Sequence, residues 1–579
     1  MTKSKTIVRL LKYLFMKKTL MIFAFILTIL SNIFALVGPA LSGKAIDAIG
    51  YKSLQVDFSL VLYYCGLMLV FYFLSSVLAY IIRIILINVT TEISYQMREQ
   101  VFNHLLTLPI SYFDKNSTGD IISKISYDID TINTSLSSDF ITLLTGFITM
   151  IGSLIMMLRI SPVLCLIFLL TVPLIIFFTR YRTKKVRPLF RVRSRKLGEL
   201  NGFVEEMLSG HKTIKAYGQE ETIIKRFDDK NVEAVNAYYK ADYEGSIVGP
   251  SVQFLNNLTV AFISIFGSLL YLAQTITIGN ISSFVLYSRK LSGPISEIAN
   301  IMADLQSALS AAERIFKLLD EPSEKADRVN AYKLEDIAGD VELKDVVFSY
   351  VDDKIILHDL SFKAQKGKTI AIVGPTGAGK TTIINLLMRF YDINSGAIYI
   401  DGHNIIDCTR ESLRKQFAMV LQDTWLFSGS IYENVAYGTD DATLDEVIAV
   451  CKVAQIHEFI ESLQDGYNTV LTDDGVNISK GQKQLLTIAR AMLSKGKMLI
   501  LDEATSNVDS QTEIQIQEAM LKLSEGRTSF VIAHRLSTIK KADLIIVLKQ
   551  GKVIEKGTHE FLLEQKGFYA QMFNAQFEM

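Results

Sequence analysis

The stretch TIAIVGPTGAGKTTIINLLMRF, from Thr369 to Phe390, constrains the fold more than any other in the chain. It opens with five mostly apolar, β-prone residues, the run expected of a parallel strand buried on both faces. Gly374, Pro375, Thr376, Gly377, Ala378, Gly379, Lys380, Thr381 and Thr382 come next as the expected ATP contacts, and an apolar stretch at helical spacing follows. Strand, glycine-rich loop and helix in that order read as a P-loop. The glycines let backbone N–H groups curl around phosphate oxygens at the positive end of a helix. Lys380 can reach the β- and γ-phosphates, and the Thr381 hydroxyl can bind Mg²⁺. The stretch predicts binding of a nucleoside triphosphate.

At 579 residues the chain is too long for one domain. Hydrophobic residues make up 49 % of it, while its formal net charge is zero. Mean hydropathy is +0.28, which fits a protein partly in lipid and partly in water. A neutral balance gives no hint of a nucleic-acid partner. Cys65, Cys165, Cys408 and Cys451 show no metal-ligand spacing, so packing is their expected role.

The first half reads as a membrane domain. Residues 3–18 combine basic residues with an apolar stripe, as expected of a short helix lying on the membrane surface. A signal peptide is the rival reading, but the run from Leu20 to Leu41 is long enough to span and more spans come after it. The expected spans are 20–42, 59–87, 139–158, 162–180, 247–273 and 278–303, the last interrupted by Arg289, Lys290, Gly293 and Pro294. The segments after spans 2 and 4 are long and basic, so the positive-inside rule puts them and both termini in the cytoplasm. They continue as polar helical patterns too regular for loops, so helices 2 to 5 are expected to project beyond the bilayer. Short breaks at Leu108–Asp114 and Gly210–Glu220 mark the tips, where coupling to another domain or an ordinary turn is expected. Arg83 reads as snorkelling to the inner leaflet. For Arg289 and Lys290, lining a polar cavity and holding a partner helix both remain open.

The second half alternates apolar strands with amphipathic helices, which predicts an α/β domain with a largely parallel sheet. An antiparallel pair, Val341–Tyr350 and Lys354–Lys363, is expected to open it. The expected boundaries are a membrane domain over 1–315, a charged linker over 316–338 and a nucleotide-binding domain over 339–579. Lys497–Glu503 is an apolar strand ending in two carboxylates. Asp502 suits Mg²⁺, and Glu503 can polarise a water for in-line attack on the γ-phosphate. Ser529–His534 is another buried strand, delivering His534 toward that phosphate. Gln422, after Phe417–Leu421, can sense Mg²⁺ and the attacking water, and Tyr350 offers adenine a ring to stack on. Ser479, Lys480, Gly481 and Gln482 precede a long helix whose N-terminus is a second anion site. One domain has no use for two triphosphate cradles on separate helices. Facing domains, each closing over the other's nucleotide, are therefore expected.

With these residues in hand, the chain resembles an ATP-binding cassette (ABC) exporter half-transporter over almost its whole length. The likeness includes LPISYFD and GHKTIKAYGQEE at the tips and every nucleotide motif. It implies a six-span helical domain with long cytoplasmic extensions, fused to an α/β P-loop ATPase domain. It also implies a bacterial plasma-membrane protein using ATP and Mg²⁺, working in the bilayer as a dimer with a second half-transporter. ATP closure would turn the cavity outward, and hydrolysis would reset it. The implied cargo is a small amphipathic molecule, drug or lipid. An importer built on the exporter fold and a non-transporting ATP-binding regulator are the alternatives. Departures from the family pattern are Lys480 in place of the first signature Gly, Asn507 and Val508 before Asp509, and Asp473–Asn477. All face the partner's ATP. Groups for the chain's own ATP are intact, which resembles the catalytic-glutamate-bearing half of heterodimeric exporters; the segment from Tyr287 to Lys290 fits that group too.

Overall fold

The computed structural model describes residues 3–50, 56–351, 354–422, 424–439, 441–471, 478–502, 509–532 and 539–577. They form two compact units: Met1–Leu106 with Thr118–Glu321, and Thr107–Ser117 with Pro322–Met579. The division differs from the expected one in two ways. The eleven-residue tip joins the second unit, and the second unit begins at Pro322.

The first unit is helical throughout its described residues. The surface helix α1 (Lys3–Leu14) and a 3₁₀ turn lead into α2 (Lys18–Ala48) and α3 (Phe58–Thr107). After α4 (Ile110–Lys115), which belongs to the second unit, come α5 (Thr118–Ser123), α6 (Ile129–Thr134) and α7 (Phe140–Ile160), joined by π-helical turns. The unit continues with α8 (Pro162–Ser209), α9 (His211–Tyr217), α10 (Glu220–Ser246), α11 (Val248–Leu272) and α12 (Ile278–Leu319). Ser161 caps α8 through Leu164 N–H at 3.4 Å, with Pro162 just inside the start. The 50-residue α3 is about 75 Å long at helical rise. The hydrocarbon layer is about 30 Å thick, so much of α3 projects beyond it.

Five segments are long and apolar enough to cross a membrane among the described residues: Ser4–Ala48, Phe58–Thr107, Thr118–Ile160, Pro162–Ser209 and Glu220–Leu272. The sixth expected span lies in the 42-residue α12, which is more polar. Its polarity has a cause in α2. Pro39 inside α2 lacks an N–H, so it leaves the Ala35 carbonyl without its helical donor. Lys290 Nζ donates to that carbonyl at 2.6 Å, Tyr287 O–H to Leu36 O at 2.5 Å, and Ser283 O–H to Pro39 O at 2.8 Å. Nearer the helix ends, the Asp47 carboxylate accepts from Thr277 O–H (2.7 Å) and Gly279 N–H (2.8 Å). Gly279 is required here, because a Cβ would lie 2.0 Å from Gly43 O. Lys290 therefore holds a helix partner, while Arg83 and Arg289 are exposed.

On the other side of the unit, the α1 face carrying Leu10 and Tyr13 is buried. Tyr13 stacks on Phe316 with ring centroids 6.0 Å apart, and Arg9 covers the same ring while pairing with Asp320 at 2.6 Å. Arg314 holds the buried Asp128 through two bonds of 2.8 and 2.6 Å at one of the π-helical turns.

In the second unit, β1 (Val341–Val351), β2 (Lys354–Ala364) and β4 (Ser395–Ile400) form an antiparallel sheet in the order β2-β1-β4, extended by His403–Asn404. The larger sheet runs Lys552–Gly557, Leu544–Lys549, β3 (Thr369–Val373), Thr528–Ile532, Met498–Asp502, Phe417–Val420. It is parallel except for its outer strand Lys552–Gly557. Alternate residues serve two cores, Ala371, Leu499 and Val531 on one face, Ile370, Ile500 and Phe530 on the other. This two-sided burial explains the unbroken apolar runs.

The charged segment after Pro322 is docked rather than loose. Arg410, buried to 9 % exposure, binds Asp327 at 2.8 Å, Arg414 binds Glu324 at 2.6 Å, and Tyr332 stacks on His403 at 4.2 Å. Arg410→Ala removes one of the two arginines, the other being Arg389, that pair with both Asp327 and Asp392. Because those carboxylates are partly exposed, the expected loss is about 1–3 kcal/mol. Chemical denaturation of the purified chain checks it, and an unchanged midpoint would show that the linker docks by other contacts.

Candidate nucleotide site

The P-loop lies between β3 and the helix α13 (Lys380–Leu387), and two of its glycines are fixed by geometry. Gly374 has φ +156°, and a Cβ there would lie 2.3 Å from Leu548 O. Gly379 caps α13 at φ +101°, with Leu357 2.8 Å from where a Cβ would sit. Gly377 is exposed, and a Cβ there would meet nothing within 4 Å, so the loop backbone faces open space. Pro375, Thr376 and Thr381 are exposed, while Ala378 and Thr382 are buried. Lys380 Nζ folds back onto Gly374 O (2.7 Å) and Pro375 O (3.2 Å). Burial lowers its pKa from the ordinary value, and the Asp502 carboxylate opposes that shift. An ammonium so placed gains from an anionic ligand. The donor set fits phosphate.

Topology brings together the strands that precede the other expected groups. The strands β3, Thr528–Ile532, Met498–Asp502 and Phe417–Val420 are neighbours and parallel. Ligands bind beyond the carboxyl ends of such strands. From those four ends the chain proceeds to the P-loop, to His534, to Glu503 and to Gln422. Asp502 itself ends a strand, in register with Ile532, and Gln422 is exposed. Glu503 and His534 lie outside the described residues, as do 473–477 and 506–508.

Tyr350, near the end of β1, is 39 % exposed. Its hydroxyl donates to Thr382 Oγ1 at 3.3 Å and accepts from Asn385 Nδ2 at 3.1 Å, tying the ring to α13. Phe348 and Tyr391 meet that ring nearly at right angles, at 4.8 and 4.9 Å. Sequence reasoning missed Tyr391, whose position after Phe390 carries no periodic signal. The Tyr391 hydroxyl donates to the Asp114 carboxylate on α4. Burial, reinforced by that carboxylate, raises the phenol's pKa. The same tip accepts a hydrogen bond from Glu324 N–H at Thr107 O (2.8 Å), and Thr107 bonds Ser323 at 2.9 Å.

The second anion site opens the helix Lys480–Leu493. Ser479 Oγ accepts from Gln482 N–H at 3.2 Å, and Gln482 Oε1 accepts from Ser479 N–H at 2.9 Å, a complete capping box. Lys480 is exposed and Gly481 buried. Asp509 caps the helix Ser510–Ser524 through Thr512 N–H at 2.9 Å, and backbone amides hold its carboxyl below the usual range. Another group that sequence reasoning missed is Arg490, which binds Asn434 O and Trp425 O beneath Phe427 and Tyr437. All four cysteines are free, and the described residues contain no metal-ligating cluster of three His, Cys, Asp or Glu.

Comparison with known proteins gives these features a family. A model for the ABC transporter transmembrane region matches residues 21–295, and one for the ABC transporter matches 357–506. The chain is 43 % identical to the uncharacterized ABC transporter ATP-binding protein YfiC of Bacillus subtilis, over 99 % of this chain and 94 % of that protein. It is 43 % identical to the fatty acid ABC transporter ATP-binding/permease protein of Mycobacterium tuberculosis, over 85 % and 78 % respectively. With the ATP-dependent lipid A-core flippase of Escherichia coli K12 it shares 36 % identity over 87 % of each. Among solved structures, a bacterial Atm1-family ABC exporter with ATP bound superposes with TM-score 0.76 at 30 % identity, covering 97 % of this chain and 99 % of that one. The chain belongs to the ABC transporters, as a multi-pass membrane exporter whose N-terminal transmembrane domain is fused to an ATPase that drives transport.

Proposed function

We propose that this exporter moves amphipathic small molecules, drugs or lipids out of a bacterial cell by alternating access in a dimer of half-transporters. The observation that carries the proposal is the tip Thr107–Ser117. It leaves α3, joins the ATPase unit and returns to α5. Within that unit Asp114 is joined through Tyr391 to Tyr350, the expected adenine platform. A change at the nucleotide thus has a short path of packed groups to the end of the 50-residue α3 and the start of α5. Relatives named for fatty acids and lipid A-core support an amphipathic cargo.

The chain's own residues divide the work. The P-loop amides and Lys380 hold the phosphates, and Tyr350 supports the base. Thr381, Gln422 and Asp502 would hold Mg²⁺, which when bound neutralises phosphate charge. Glu503 accepts the proton of the attacking water while His534 and Gln422 orient it. Ser479, Lys480, Gly481, Gln482 and Asp509 face the partner's nucleotide. Of these, Lys480 departs from the family signature while the chain's own ATP groups do not, which favours a heterodimer with the nucleotide domains and both termini in the cytoplasm.

Three outcomes are expected. Glu503→Gln keeps ATP binding but lowers hydrolysis about 10²-fold or more, as for loss of a general base; wild-type turnover in a single-turnover assay would remove that role. Tyr391→Phe loses the bond to Asp114, and transport per ATP falls about fivefold, the equivalent of about 1 kcal/mol. Equal transport and hydrolysis losses in that variant would assign Tyr391 to the nucleotide site alone. Native mass spectrometry of the chain from its own host finds a second, different half of similar mass; a self-dimer of this 65.0 kDa chain would overturn the heterodimer.

A further inference from the structure

Lys290 carries more charge than its structural task needs. It sits on α12 opposite Ala35, well inside the apolar run Leu20–Leu41. Supplying one hydrogen bond to the Ala35 carbonyl takes only a neutral donor, as Tyr287 and Ser283 show along the same face. The ammonium has three N–H groups and uses one on that carbonyl. Among the described residues, no Asp or Glu carboxylate forms an ion pair with it. The Tyr72 ring lies 6.0 Å from its Nζ. Tyr72 is fixed in turn by close packing on Gly38, where a Cβ would lie 2.2 Å from the ring. Lys290 is only half-buried, and Arg289 beside it is exposed. One turn further on, Gly293 is exposed and a Cβ there would meet nothing within 4 Å, so open space adjoins the cation. A cation at membrane depth with no counter-ion among the described residues is costly, and such groups mark substrate paths.

We infer that Lys290 anchors the oxyanion headgroup of the exported amphiphile, whose acyl chain lies along the apolar helices. The inference rests on the proposed export of amphipathic cargo and narrows it to acids. A carboxylate can take the two remaining N–H groups while Ala35 keeps the third, so binding does not break the α2–α12 seam. Two sources share this chemistry: a free fatty acid and an anionic phospholipid of the bilayer.

The test uses the intact transporter from its host, in phosphatidylcholine nanodiscs, with oleate and oleyl alcohol as probes of ATPase stimulation. Wild type is expected to respond to oleate at about tenfold lower concentration than to the alcohol, as for one hydrogen bond to a charged group. Lys290→Gln keeps a donor for Ala35 and is expected to erase that preference, Lys290→Arg to keep it. Ser283→Ala removes a seam bond without removing charge, and is expected to retain the preference. An undiminished acid preference in Lys290→Gln overturns the anchor, as does its loss in Ser283→Ala. Changing the nanodisc to phosphatidylglycerol separates the sources. Unaltered oleate stimulation supports a free acid; stimulation by phosphatidylglycerol alone, lost in Lys290→Gln, supports the phospholipid. If neither probe nor either lipid alters wild-type turnover or binds, the export reading falls together with the anchor; if the alcohol acts as well as the acid in wild type, only the anchor falls.

Discussion

A backbone carbonyl deprived of its helical donor inside hydrocarbon has no water to turn to, and each such group costs several kcal/mol. Pro39 creates that problem in α2 at the Ala35 carbonyl, which Lys290 of α12 satisfies; Tyr287 and Ser283, three and then four residues before it on the same helix face, add bonds to Leu36 O and Pro39 O. The repair dictates what α12 can be. A helix that must carry a hydroxyl, a phenol and an ammonium toward its neighbour cannot also be uniformly apolar. The contact is then closed at its far end by Gly43 against Gly279 and by Asp47 on the first turn of α12. With donors matched to carbonyls over this length, α2 and α12 cannot slide past one another without leaving several polar groups unpaired. They are built to move as one piece.

The ATPase unit obeys a different constraint. Its parallel strands are buried on both faces, so their side chains are spent on two cores and chemistry is confined to the loops beyond their carboxyl ends. Four neighbouring ends lead to the P-loop, His534, Glu503 and Gln422. The same unit takes in Thr107–Ser117 and the segment after Pro322, held by Tyr391, Glu324 and Arg410. At each of these two junctions the chain is therefore fastened by charge-assisted or backbone hydrogen bonds.

Much of this is legible in the amino-acid order because it depends on local chemistry. The P-loop, its strand and its helix are contiguous, and the capping box at Ser479 and Gln482 is a three-residue spacing. The antiparallel opening pair, here β1 and β2, is read from two apolar runs separated by a short polar turn. The hidden part depends on pairs far apart in the chain. Tyr391 and Asp114 are separated by 277 residues, and Lys290 and Ala35 by 255. Hydropathy registers Lys290 only as an interruption, because the carbonyl that explains it lies on another helix. The charged stretch 316–338 reads as a linker for a related reason: the arginines that bind its acids come 83 and 90 residues later.

Lys480 joins the two kinds of information. At the first helical position its charge adds to the positive end of the helix, at an intrinsic cost of about 0.3–1 kcal/mol. The capping box already uses the Ser479 and Gln482 amides, so the helix does not need Lys480 to stand. Electrostatically, then, the substitution keeps or raises the attraction for a phosphate at this helix end. Sterically it does the opposite, since a glycine there would let a ligand approach the backbone and a lysine side chain stands in the way. An impaired site of this kind still attracts a nucleotide while misplacing it. In the heterodimer proposed above, that gives one site a holding role and leaves turnover to the other.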